Sequence, residues 1–68
     1  MKRELRGSAI VNKLNEEIAA LRRSIVWTEQ QLIIAKSNDD LDAIRFYESR
    51  IKRFESELKE RLNEVGNY

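Results

Sequence analysis

Five serines, one tryptophan, twelve carboxylates and thirteen basic side chains are the residues of this chain that could act on another molecule or hold one; histidine and cysteine do not occur. That inventory excludes an imidazole base, a thiolate nucleophile and any metal site built on His or Cys. Ser8, Ser24, Ser37, Ser49 and Ser56 have no base to activate them. Glu16-Glu17, Asp39-Asp40 and Glu29 are the carboxylates that invite an acid/base or metal assignment. A di-metal site in a helical bundle needs inward-pointing Glu, usually with Glu-x-x-His pairs. Neither adjacent pair lies on the apolar seam described below, and Glu48 and Glu55 flank that seam, where carboxylates ordinarily salt-bridge. Glycine-rich phosphate loops are absent. The chemistry points to a protein that is not an enzyme and needs neither cofactor nor metal.

The elements that would position these residues are helices. Proline is absent, glycine occurs twice, and 41% apolar against 37% charged residues is the balance of long amphipathic helix. Sixty-eight residues make one domain at most, near the lower size limit for a self-sufficient core, and no disulfide is available to staple it. Val11, Leu14, Ile18, Leu21, Ile25, Thr28, Leu32 and Ala35 recur in steps of three and four, the spacing of a and d positions in a seven-residue repeat. Ile44, Tyr47, Ile51, Phe54, Leu58, Arg61 and Val65 repeat the pattern, with Leu41 and Leu62 widening the stripe. Between the two runs, Ser37-Asn38-Asp39-Asp40 is the single cluster of turn and capping residues.

The spacing predicts an all-α, antiparallel two-helix hairpin of coiled-coil character. The first helix is expected over about 8–36 and the turn over 37–39. The second helix should run over about 39–65, capped by Asn38 or Asp39, with Gly66 just past its end. Gly7-Ser8 suggests that residues 1–7 form a short basic N-terminal arm or frayed turn ahead of a hairpin over 8–68. Folding at the turn matches the stripes in order. Leu32 meets Ile44, Thr28 meets Tyr47, Ile25 meets Ile51, Leu21 meets Phe54, Ile18 meets Leu58, Leu14 meets Leu62 and Val11 meets Val65.

The first helix has a second apolar face. Ala19, Ala20, Val26, Trp27, Ile33 and Ile34 fill its b and c positions, roughly opposite the seam. The corresponding residues of the second helix are Arg45, Phe46, Lys52, Arg53, Lys59 and Glu60. A helix apolar on both faces is normally packed on both. The first helix is therefore the inner one, and the simplest partner for its back is a second copy, giving a homodimeric four-helix bundle. The competing readings are a higher oligomer built on the same face, a docking site for a different protein and a lone hairpin that tolerates an exposed Trp27. The hairpin-dimer plan resembles that of small plasmid RNA-regulating bundle proteins of the Rop type; the likeness is architectural and carries no residue role onto this chain.

Charge bounds the remaining partners. A net charge of +1 is too balanced for a dedicated polyanion binder. Glu48–Lys52, Glu55–Lys59, Glu57–Arg61 and Asp42–Arg45 have the spacing of intrahelical ion pairs, as expected of a solvated outer face. Yet Arg45, Lys52 and Lys59 form one row with Arg53 and Phe46 beside it, so contact with a nucleic-acid backbone is the alternative reading. No stretch is apolar enough to span a membrane, and the cysteine-free composition suits a cytoplasmic protein. Three function classes follow: a small regulator or adaptor acting by protein–protein binding as a hairpin homodimer, an RNA- or DNA-binding regulator using the second helix, and a structural subunit of a larger bundle.

Overall fold

A computed structural model describes residues 2–67, with side chains from Ala9 onward. Two helices, α1 (Lys2–Ser37) and α2 (Leu41–Gly66), pack against each other as a hairpin. At about 1.5 Å per residue the 36 residues of α1 span roughly 54 Å, which accounts for nearly all of the 56 Å long axis of the molecule. The other two dimensions, 14 and 11 Å, are those of two helices side by side.

The seam carries the expected residues. Leu14, Ile18, Thr28 and Ala35 are buried, and Val11, Leu21, Ile25 and Leu32 are half-buried between them. Ile44, Tyr47, Ile51, Phe54, Leu58, Arg61 and Val65 face them half-buried from α2, none of whose described residues is fully buried. Thr28 has the least exposure, at 1%, and its hydroxyl donates to the Ser24 carbonyl at 2.6 Å. A polar group can sit in the seam because its hydrogen bond stays within its own helix.

Three details of the boundaries differ from the sequence-based expectation. First, α1 is already helical from Lys2 and passes through Gly7 and Ser8, so the helix does not begin at Ser8 and no separate arm precedes it among the described residues. Glycine in a helix interior costs about 1 kcal/mol, which a long helix can absorb. Second, α1 ends at Ser37 and α2 begins at Leu41, so the turn lies one residue later than expected; α2 includes Gly66. The Asp40 N–H reaches the Ala35 carbonyl at 3.0 Å and the Asp39 N–H reaches the Lys36 carbonyl at 3.2 Å. This is the Schellman pattern, with Asp39 in the left-handed region at φ 52° where glycine is usual. Third, the cap of α2 is neither Asn38 nor Asp39. Asp40 takes that position and its Oδ1 accepts the Ala43 N–H at 3.2 Å. One residue thus closes α1 through its N–H and opens α2 through its carboxylate.

The far end of the seam is also altered. Leu62 is 44% exposed, whereas Arg61 is half-buried and shares one groove with Leu14 and Glu17. The Arg61 Nε donates to Glu17 Oε2 at 2.8 Å, and Nη1 lies 3.7 Å from Glu64 Oε1. An arginine can occupy a seam position by laying its stem along the apolar surface while its head meets a carboxylate at the rim. Leu41, the other residue expected to widen the stripe, is exposed at the first position of α2. Among the described residues no helix is long and apolar enough to cross a membrane.

Candidate functional site: the back of α1

The residues of the second apolar face all lie in the middle and C-terminal half of α1. In the hairpin Val26 is 55% exposed, Trp27 57%, Ile33 64% and Ile34 52%, and Ala19 and Ala20 are exposed as well. Residues buried on both sides of a helix would require a second packed surface, and α2 covers one side only. The back of α1 therefore turns several large apolar side chains to water, a feature that marks interaction surfaces.

The patch has a finer layout than the sequence reading assumed. At about 100° per residue the b and c positions flank the f position rather than adjoin each other. Ala19, Val26 and Ile33 form one stripe, and Ala20, Trp27 and Ile34 form the other. Arg23, Gln30 and Ser37 run between them and are exposed. Arg22, Arg23, Val26, Trp27 and Gln30 accordingly line one shallow surface groove. The Ser37 hydroxyl donates to the Ile33 carbonyl at 3.1 Å, so that end of the central row is turned back onto its own helix. The site is two apolar rails with a polar track between them.

The rail that carries Trp27 continues onto α2. Ala20, Arg23, Ser24, Trp27 and Thr28 share an open groove of about 420 Å³ with Arg50 and Phe54. The Arg50 guanidinium carbon lies 5.4 Å from the centroids of both Phe46 and Phe54, and Phe46 meets Tyr47 edge-on at 5.3 Å. Such cation–π contacts hold a planar cation in place at about 0.5–1 kcal/mol each where exposed. Arg50 was not among the residues singled out from the sequence. The signal was present as Phe46, Arg50 and Phe54 in steps of four, which puts three stacking groups on one helix flank.

The basic row is where the sequence placed it. Arg45, Lys52, Arg53 and Lys59 are all exposed on α2, and Phe46 beside them is 56% exposed. The intrahelical ion pairs expected to neutralise the row do not form. Arg61 alone makes ion pairs among the described residues, with Glu17, Glu60 and Glu64. Exposed pairs on a helix are worth only about 0.3–0.5 kcal/mol, too little to hold two long side chains together against solvent. No group of three or more carboxylates that could hold a metal ion occurs among the described residues. No protein-family model, curated protein or solved structure matches the chain.

Proposed function

We propose that this protein is a small, non-catalytic regulator or adaptor that works by occupying protein surface, and that it does so as a homodimer joined through the back of α1. One observation carries the reading: Val26, Trp27, Ile33 and Ile34 are each more than half exposed on a hairpin whose own fully buried apolar core, among the described residues, is Leu14, Ile18 and Ala35. A core that thin leaves little stability to a lone hairpin, and the largest apolar surface available to enlarge it lies on α1. Full burial of a large apolar side chain is worth about 1.5–3 kcal/mol. With rather more than half of each side chain still to be covered, a twofold pair gains on the order of 8–12 kcal/mol gross from these residues. That offsets the lower part of the roughly 4–15 kcal/mol that association costs. The dimer is therefore concentration-dependent, and α2 remains outermost, free to meet a further protein.

Sedimentation velocity over a dilution series tests the proposal. The wild-type chain is expected to sediment with twice its monomer mass at high concentration and to show blue-shifted Trp27 fluorescence that moves red on dilution. Val26→Glu with Ile33→Glu should give half that mass without touching the seam toward α2. A wild-type chain that stays a folded monomer at every concentration, with Trp27 in water, overturns it.

A second reading keeps support from a specific observation, the un-neutralised row of Arg45, Lys52, Arg53 and Lys59. Four cations without a carboxylate partner among the described residues, beside an exposed Phe46, suit a phosphate backbone. The net charge of +1 and the Glu residues along α2 weigh against it. A gel shift with mixed RNA and DNA at low salt decides: binding that falls steeply with salt and disappears in Arg45→Glu with Lys52→Glu would establish this reading, and no shift would remove it.

A further inference from the structure

We infer that the two copies pair antiparallel, α1 against α1, about a twofold axis level with Val26 and Trp27; this inference rests on the homodimer reading above.

Side-chain size is the first reason. Reversing one α1 against another about that level puts Ala19 opposite the partner's Ile34, Ala20 opposite the partner's Ile33, and Val26 opposite the partner's Trp27. Each large side chain meets a smaller one, the arrangement that lets facing layers interdigitate at native density. All six residues are exposed in the single hairpin and so are available to the contact. A parallel twofold pair is in register by symmetry. It would set Trp27 against the partner's Trp27 and leave Ala19 and Ala20 facing alanines across a gap.

Charge gives the same answer independently. The polar track between the rails brings Arg23 level with the partner's Gln30, a guanidinium donor against an amide that can accept. On one flank Arg22 comes within about two residues, roughly 3 Å along the axis, of the level of the partner's Glu29, so opposite charges meet twice across the dyad. On the other flank Ser24 and the partner's Gln31 are both uncharged. In the parallel pair the same track sets Arg23 against the partner's Arg23 and Glu16 against the partner's Glu16. Like charges across a contact select against that orientation.

The absence of cysteine makes the test direct, because any introduced thiol is the only one. Asn38→Cys places a spin label in the exposed turn and Asn12→Cys places one near the other end of α1. In the antiparallel pair the turns lie at opposite ends, and at about 1.5 Å per residue the labels should sit roughly 35 Å apart for Asn38→Cys and roughly 45 Å for Asn12→Cys. In the parallel pair both distances collapse to about 10–20 Å, the separation of adjacent helices plus label arms. Dipolar electron resonance on each variant, with helical circular dichroism and dimer mass verified on the same samples, reads the difference. The two long distances are the expected result. Short distances in a protein that still sediments as a dimer overturn the orientation and leave the homodimer standing. A protein of monomer mass overturns the homodimer and this inference together.

Discussion

Replacing Thr28 by valine should make the protein more stable. Thr28 is the most deeply buried side chain of the seam, and among the described residues its hydroxyl is bonded only to the Ser24 carbonyl of its own helix. That carbonyl already accepts the Thr28 backbone N–H in the α-helical ladder, so removal of the hydroxyl orphans no acceptor. Three terms set the magnitude. Burying a hydroxyl costs about 1–3 kcal/mol by mutational measures, and its hydrogen bond returns about 0.5–1.5. A methyl in its place adds about 0.8 kcal/mol of burial. Valine and threonine share shape, β-branching and nearly equal helix propensity, so backbone terms cancel. The net expectation for Thr28→Val is a gain of about 2 kcal/mol. Thr28→Ser, which keeps the hydroxyl and loses the methyl, should lose about 1 kcal/mol. Urea denaturation at one fixed protein concentration measures both; with a slope near 1 kcal/mol per molar, the midpoint should rise by about 2 M for Thr28→Val and fall by about 1 M for Thr28→Ser. A Thr28→Val protein less stable than wild type by 1 kcal/mol or more would refute the reasoning, because it would mean that the hydroxyl serves a partner across the seam.

Other expectations concern the turn, the rim and the core. Asp39→Gly removes a side chain from a left-handed residue and should stabilise by about 0.5–1 kcal/mol in the same urea assay. Asp40→Ala removes the cap of α2 and should cost about 1 kcal/mol. A double-mutant cycle on Glu17 and Arg61 should give a coupling below about 1 kcal/mol that shrinks with added salt, because the two side chains are 41% and 32% exposed. Ile18→Ala, at a buried seam position, should cost about 2–4 kcal/mol, and in a hairpin with so few buried apolar residues it should visibly reduce helical circular dichroism.

The seam was legible because its signal is summed over many residues. Each helix carries a long a/d series, and a single departure such as Arg61 does not erase it. The turn was legible in place but not in detail. Asn38, Asp39 and Asp40 all have side chains able to cap or to tolerate a left-handed backbone, and the choice among them is made by the hydrogen bonds that end α1. The start of α1 was misplaced because Gly7 followed by the N-cap type Ser8 is the pattern of a helix start, whereas α1 runs through both residues. Ion pairs were over-read for an energetic reason: the intrahelical spacing was present, but solvent competes for exposed charges. Arg61 found Glu17 across the seam because its own stem was already held there by apolar packing. The six residues of the α1 back were all identified from the pattern. Their division into two rails was not, since it needs the angular position of the f row as well as the identity of the apolar residues.

The turn also bears on the order of folding. Contacts beside it, around Leu32 and Ile44, close a short loop, whereas those around Val11 and Val65 close nearly the whole chain. A hairpin of this kind should zip from the turn outward, quickly, as helical proteins dominated by local contacts do. The Schellman hydrogen bonds at Ala35 and Lys36, together with the Asp40 cap, are local enough that they should organise the nucleus before most of the seam forms. Changes at Asp39 and Asp40 should therefore appear mainly in the folding rate, and changes at Leu14 or Arg61 mainly in the unfolding rate. The residue that joins the helices thus sets how fast they meet, and the residues at the far end set how long they stay together.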